Sequence, residues 1–354
     1  MRRLDYHRNS VIIAAVRFLP IPKNLPQAAY PTLNTTMQNE NIPRRQWFAQ
    51  SAAVAAAAGC LTSQVSQAQA QSPVAAPKFR YCLNMSTING NEVPVRDQLK
   101  IAADAGYDSV ELWFGHIEKF TKGGGDLTEL RNEIRDLGLA VDSSIGFGKW
   151  IVDDDTERAA GLEQCKRDMD TIRHLGGRRM AAPPSGATDK PGIDLNAAAD
   201  RYRKLLEVGS ARDVVPQVEL WGFAKNLATL AEVLHVAAGA NHPDACVLLD
   251  VYHLYKGGSD FSNMGLVPGA KMHCLHMNDY PAEPKRPEIA DKDRIYPGDG
   301  VAPISMILRT LAKGGFNGTL SLELFNRTYW AQPPQQVAKV GLEEMKAVVA
   351  AAFA

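Results

Sequence analysis

From Lys78 onward, short β-rich runs alternate with longer stretches whose apolar residues recur at helical spacing. The short runs predict strands at 79–83, 109–113, 140–145, 179–182, 217–221, 246–250, 272–276 and 319–324. The amphipathic stretches predict helices at 95–105, 126–137, 156–175, 195–208, 226–238, 302–313 and 334–351, with a short helical segment near 261–266. Glycines agree with these boundaries. Ala105-Gly106-Tyr107, Leu137-Gly138-Leu139 and Lys313-Gly314-Gly315-Phe316 each place a glycine between a helix and the next strand, where a left-handed residue caps the last turn. Regular alternation of strand and helix implies parallel βαβ units. Eight such units make an open doubly wound sheet or a closed barrel. No GxGxxG follows the first strand, and polar residues recur at the C-terminal ends of many strands, which converge on one mouth in a barrel. The expected fold class is α/β, a single (β/α)8 TIM barrel over residues 71–354.

Those strand ends hold the candidate chemistry. They contain Glu111 in Val-Glu-Leu-Trp, Glu219 in Val-Glu-Leu-Trp-Gly, and Asp250 with His253 in Leu-Leu-Asp-Val-Tyr-His. His276 follows in Leu-His-Met-Asn-Asp and Glu323 in Leu-Ser-Leu-Glu-Leu-Phe. Apolar strands rarely carry carboxylates, because burying an unpaired charge costs several kcal/mol, roughly. Glu219, Asp250, His276 and Glu323 stand on four successive units, which points to a cation at the centre. Three carboxylates and one imidazole form a hard oxygen/nitrogen donor set. It suits one divalent metal: Mn²⁺, Mg²⁺ or Co²⁺ first, with Zn²⁺ a further fit.

The ordered set Glu219-Leu-Trp-Gly, Asp250-Val-Tyr-His253, His276-Met-Asn-Asp279 and Glu323-Leu-Phe resembles the xylose-isomerase-like TIM-barrel superfamily. That superfamily includes hydroxypyruvate isomerase, ketose 3-epimerases, inosose dehydratase and endonuclease IV. The resemblance covers residues 79–354, and Arg294-Ile-Tyr-Pro-Gly-Asp-Gly300 looks like the family's substrate loop. It implies Glu219, Asp250, His276 and Glu323 as metal ligands, with Glu219 and Glu323 also transferring protons. It further implies Glu111, His253 and Arg294 as residues that hold substrate, His253 alternatively at a second metal. The implied chemistry is removal of a proton next to a carbonyl through a metal-stabilised enediolate. Return to the opposite face epimerises, and return to the adjacent carbon interconverts aldose and ketose. The expected function is isomerisation or epimerisation of a small free sugar or hydroxy-ketone. The alternatives are a keto-sugar or inosose dehydratase using the same metal, or an inactive sugar-binding barrel.

Plainer roles stand beside these. Glu111 reads equally as an ion pair across the mouth, His253 as a core histidine and Arg294 as a loop charge. Asp279 either orients His276 or touches substrate. Trp113, Phe114, Trp150 and Trp221 lie at or beyond strand ends, as packing or as walls of a sugar pocket. His116 reads as a loop histidine.

Composition narrows the partners. Lys+Arg and Asp+Glu balance at 39 each, which leaves no net charge to attract nucleic acid or anionic lipid. The third predicted strand ends Ser143-Ser144-Ile145-Gly146 without the histidine that the endonuclease branch would need. A small carbohydrate is the expected partner. Cys82, Cys246 and Cys274 fall in apolar runs and Cys165 in a helical pattern, as buried small hydrophobes do.

Residues 1–70 read as an extension and an export signal. Arg44-Arg45 is followed by Trp47-Phe48, a mild Ala-rich apolar run over 49–59 and an Ala68-Gln69-Ala70 end, the parts of a twin-arginine signal. Met37 sits where such a signal would begin, and cleavage is expected after Ala70. Ala57-Ala58-Gly59-Cys60 is a loose lipobox that would anchor Cys60 to lipid. The expected location is the periplasm, with membrane contact only in transit or through that anchor.

Overall fold

A computed structural model describes residues 77–354. The expected export segment, including Met37, Arg44-Arg45, Cys60 and the cleavage point after Ala70, lies outside the described residues.

Strand and helix alternate as the pattern predicts. β1 (Arg80–Asn84) leads through a 3-10 turn to α1 (Val95–Ala105). β2 (Ser109–Trp113) is followed by α2 (Phe114–Lys122) and α3 (Leu127–Asp136). β3 (Ala140–Ile145) precedes α4 (Asp155–His174), β4 (Arg179–Ala182) precedes α5 (Leu195–Ser210), and β5 (Val215–Glu219) precedes α6 (Leu230–Gly239). β6 (Val247–Asp250) runs directly into α7 (Val251–Gly257). β7 (Met272–Met277) is followed by α8 (Ile304–Lys313). β8 (Thr319–Leu322) leads to α9 (Arg327–Trp330) and α10 (Pro334–Phe353). All neighbouring strands pair in parallel, and β8 pairs with β1 to close the barrel.

Side-chain alternation then sorts the core. One large apolar cluster joins the outer strand faces to the helices, while a smaller one, Ile145, Ala181, Leu248 and Cys274, forms separately. Much of the remaining interior is polar and buried: Ser109, Glu111, Asp142, Ser143, Gln217, His276, Thr319 and Ser321. The β2–β3 register skips Asp142, pairing Val110 with Val141 and Glu111 with Ser143. Such a bulge re-aims a side chain. Asp142 accepts hydrogen bonds from Ser109 Oγ at 2.6 Å and Thr319 Oγ1 at 2.7 Å, with Arg80 Nη1 2.5 Å away, and this closes the floor. Cys82, Cys165, Cys246 and Cys274 are free and buried, and no described helix is long and apolar enough to cross a membrane.

The differences from the predicted boundaries have local causes. The helix expected from residue 226 starts at Leu230, because Asn226 is occupied elsewhere. Its amide donates to the carbonyls of Ala187 and Lys190 and accepts from the N–H groups of Gly192 and Ile193. Thr229 and Glu232 then form the capping box that opens α6. The strand expected at 217–221 is shifted to Val215–Glu219, and Trp221 turns away to donate its N–H to Leu227. Helix α7 was not expected, and it begins because Asp250 caps it.

Candidate metal centre and active site

Asp250 explains the Asp-x-x-His spacing. Its Oδ1 accepts the backbone N–H of His253 at 2.7 Å, capping α7, and its Oδ2 is left facing the barrel axis. There it accepts from Asn278 Nδ2 at 2.9 Å and from Arg294 Nη1 at 2.9 Å. His276, from β7, lies at the centre. Its Nδ1 is 3.1 Å from Glu323 Oε2, 3.7 Å from Asp250 Oδ2 and 3.7 Å from Glu219 Oε1. Of the four residues expected as ligands, Asp250, His276 and Glu323 meet at the ends of β6 and β7 and just past β8, and Glu219 approaches His276 from the end of β5.

Glu111 is placed differently from a substrate contact. Its Oε2 lies 3.0 Å from His276 Nε2, the far side of the ring, and accepts from Asn84 Nδ2 and Ser321 Oγ. It is fully buried and does not line the cavity at the mouth. Carboxylates behind a ligating imidazole fix which nitrogen faces the centre.

Arg294 is also buried, 1% exposed, and already engaged. Nη1 donates to Asp250 and, at 2.8 Å, to Glu323 Oε2. Nη2 donates to Asp291 Oδ1 at 2.5 Å and to His253 Nε2 at 3.0 Å. An arginine only donates, so His253 Nε2 must accept. Burial, reinforced by the nearby guanidinium, pushes His253 well below the usual histidine range and keeps it neutral. Asp279 neither orients His276 nor faces the cavity. Its carboxylate accepts the N–H groups of Tyr280, Gly298, Gly300 and Ala302, which folds the loop that delivers Arg294. Gly300 is needed there, since a Cβ would sit 2.3 Å from Asp279 Oδ1.

The charge balance tests whether a cation fits. Glu111, Glu219, Asp250 and Glu323 are all buried around a single guanidinium and one imidazole. Burial drives Glu219 well above the usual carboxylate range and lifts Asp250 to about 6 despite Arg294. Burial also opposes charge on Glu323, but His276 and Arg294 prevail and hold it low. Burial opposes protonation of His276, yet Glu323 and Glu111 raise it well above the usual histidine range, with a proton that a bound cation would displace. Glu219 Oε2, Glu111 Oε1 and both nitrogens of His276 are buried without an aligned hydrogen bond. Donors bound at about 2.1 Å to one ion sit about 3 Å apart, which the spacing around His276 Nδ1 approaches. Asp250, His276 and Glu323 therefore fit a divalent cation by charge, donor type and spacing, their donor atoms lying within 4.8 Å of one another, while Glu219 fits by charge and donor type and borders them 3.7 Å from His276 Nδ1.

Above this cluster opens a cavity of about 150 Å³, lined in part by Glu219, His253, Arg294 and Glu323. Trp113 and Trp221 also line it, while Trp150 is buried with its Nε1 donating to Pro183. Phe114 does not reach it. His116 lies on α2, close to Asn89 and Gln98, away from the cavity. Sequence reasoning missed Asn84, whose amide bridges Glu111 and Glu323 and whose Oδ1 accepts from Trp113 Nε1 at 2.8 Å. It was legible as one more polar strand end, but the predicted strand stopped at Leu83. Asp291, Phe147, Phe223 and Phe325 were also missed, because they lie on loops that carry no periodicity.

Residues 99–348 match the xylose isomerase-like TIM barrel family. The chain belongs to that family. Among curated relatives, an inosose isomerase from Bacillus velezensis is 22% identical over 282 residues, covering 78% of this chain and 99% of that protein. A 3-dehydroshikimate dehydratase from Pseudomonas putida is 26% identical over 250 residues, covering 70% of this chain. The chain spans only 39% of that dehydratase. Among solved structures, the IOLI protein with a bound zinc atom superposes with a TM-score of 0.73 at 20% identity, over 78% of this chain and all of that one. An L-ribulose 3-epimerase gives 0.64 at 20% identity, over 77% of this chain and 95% of that one. These two solved structures share the fold described above.

Proposed function

We propose that this family member is a divalent-metal-dependent isomerase or epimerase of a small free sugar or hydroxy-ketone. The observation that carries the reading is the buried cluster of carboxylates around His276, short of positive charge and open to one small cavity. A cation held by Glu219, Asp250, His276 and Glu323 would supply Lewis acidity to a carbonyl and its neighbouring hydroxyl. Glu219 and Glu323 both line the cavity, so either carboxylate can take a proton from the carbon beside the carbonyl. The other returns it. As ligands of that cation both carboxylates would be ionised; His276 and Arg294 favour the ionised form of Glu323, whereas burial opposes it at Glu219. Neutral His253 positions the hydroxyls, Arg294 holds Asp250, Glu323 and His253 in place, and Glu111 holds His276 from behind.

The metal spans Mn²⁺, Mg²⁺, Co²⁺ and Zn²⁺ in this proposal; the zinc atom of the structural relative supports a divalent ion of some kind. A dehydratase is the second reading, favoured by the Pseudomonas putida relative. It needs the same proton removal followed by loss of a β-hydroxyl. We propose further that residues 1–70 act as a twin-arginine signal and that 71–354 work in the periplasm. Fusion of 1–70 to a reporter, with Arg44 and Arg45 replaced by lysine, tests export.

The deciding experiment offers free ketoses, keto-sugars and inososes in D₂O to metal-loaded and chelator-stripped protein. NMR follows deuterium entering beside the carbonyl. Metal-dependent exchange with an epimer or isomer as product supports the proposal, and an unsaturated product moves it to the dehydratase. Absence of exchange across the panel, with metal bound, overturns it in favour of a binding protein.

A further inference from the structure

Only two phenylalanines among the described residues are exposed, and both stand at the cavity above the carboxylates. Phe147 is 47% and Phe223 is 43% exposed. They belong to a continuous row of rings. Phe325 lies 5.9 Å from Trp113, Trp113 5.5 Å from Phe147, Phe147 6.1 Å from Trp221, and Trp221 5.4 Å from Phe223. Phe147 follows β3, Phe223 follows β5 and Phe325 follows β8, while Trp113 ends β2. The row is therefore assembled by the barrel and not by one local segment.

The polar part of the lining is His253, Asp291 and Arg294, with His253 5.6 Å from the Phe223 ring and Arg294 5.0 Å from the Phe325 ring. Its one cation is consumed: Arg294 is paired with Asp250, Glu323 and Asp291. No lysine lines the cavity. A phosphate group would find no unpaired cation here, and the outer edge offers the exposed rings of Phe147 and Phe223 to a flat, uncharged group. Trp113, Trp221 and Phe325 are half-buried in the lining of the cavity. Phe147 and Phe223 extend the apolar wall outward to solvent.

We propose that the substrate is a keto-sugar bearing a flat, uncharged aromatic substituent, whose ring packs on Phe147 and Phe223 while its polyol head enters the carboxylate cluster. This rests on the reading of that cluster as the sugar site. Aromatic rings stack offset or edge-on at centroid distances of about 4.5–7 Å, which the open faces of both phenylalanines permit.

The test is calorimetric titration of the full chain with methyl β-glucoside, phenyl β-glucoside and methyl β-cellobioside, each with Mn²⁺ present and after chelation. p-Cresol serves as the ring alone, followed by quenching of tryptophan fluorescence. The phenyl glucoside is expected to bind about tenfold tighter than the methyl glucoside. In Phe147→Ala with Phe223→Ala that advantage shrinks to about twofold, and cresol quenching is lost. Equal affinity for the phenyl and methyl compounds, a preference for the cellobioside, or no cresol quenching in the wild type overturns the proposal. The two readings fail separately. Loss of methyl glucoside binding on chelation tests the metal site, whereas the phenyl-to-methyl ratio with Mn²⁺ present and cresol quenching after chelation test the rings.

Discussion

The barrel buries carboxylates at both ends, and the two ends treat them differently. At the floor, Asp142 has Arg80 and two hydroxyls, from Ser109 and Thr319, as donors. At the mouth, Glu111, Glu219, Asp250 and Glu323 share one arginine and His276 as charged partners, with Asn84, Ser321 and Asn278 as neutral donors, and Glu111 Oε1 and Glu219 Oε2 are left without a partner. The floor is complete as folded. The mouth is left short of positive charge, which the proposed cation would supply, and such incompletely neutralised buried clusters concentrate at functional sites.

The largest expected effect comes from the mouth. Glu219→Gln removes a metal donor and a proton carrier together, so metal-dependent deuterium exchange should fall about a thousandfold. Exchange within tenfold of wild type would remove Glu219 from the reaction. At the floor the effect moves from chemistry to stability. Asp142→Ala leaves Ser109 and Thr319 without their acceptor and is expected to cost about 2–4 kcal/mol in urea unfolding, with metal affinity unchanged. A loss of metal affinity there would show that the two ends are coupled.

Between these lies Glu111, buried behind His276. Glu111→Gln should weaken metal binding about 10–100-fold and disturb the tautomer of His276, read by ¹⁵N NMR. An unchanged tautomer would make Glu111 a packing residue. The smallest effect belongs to a third kind of buried carboxylate. Asp168, on α4, accepts a hydrogen bond from Gln164 and is raised by burial to about 6. Its folded value exceeds the unfolded one, so the native state binds the extra proton. Its stabilising share is present in acid and is lost as pH rises from about 4 through 6. Asp168→Asn should flatten that slope and raise stability at neutral pH by about 1 kcal/mol, measured by unfolding at pH 4 and 7. An unchanged slope would assign it to other groups.

Much of the architecture was readable before the structure. The strands Ser109–Trp113, Ala140–Ile145 and Arg179–Ala182 and the helix Val95–Ala105 fall where predicted, because each combines a clear period with a nearby turn signal. Helices α2 and α7 were not foreseen. Gly115 weakens the first turn of α2, and α7 is a single capped excursion whose start depends on Asp250. The ligand candidates were legible because a carboxylate at the end of an apolar strand is costly without a partner. Their distances, and the position of Glu111 behind the imidazole, were not.

What the sequence alone determined is the alternation that makes βα units and the placing of acids and a histidine at strand ends. Both follow from local period and from the cost of burying charge, which act residue by residue. Only the closed barrel decided that Arg294 is already paired and that Asp279 folds a loop. Closure likewise brings Trp113, Phe147, Trp221, Phe223 and Phe325 into one row. Those relations join segments far apart in the chain, and no local period records which loops will meet once the eighth strand pairs with the first.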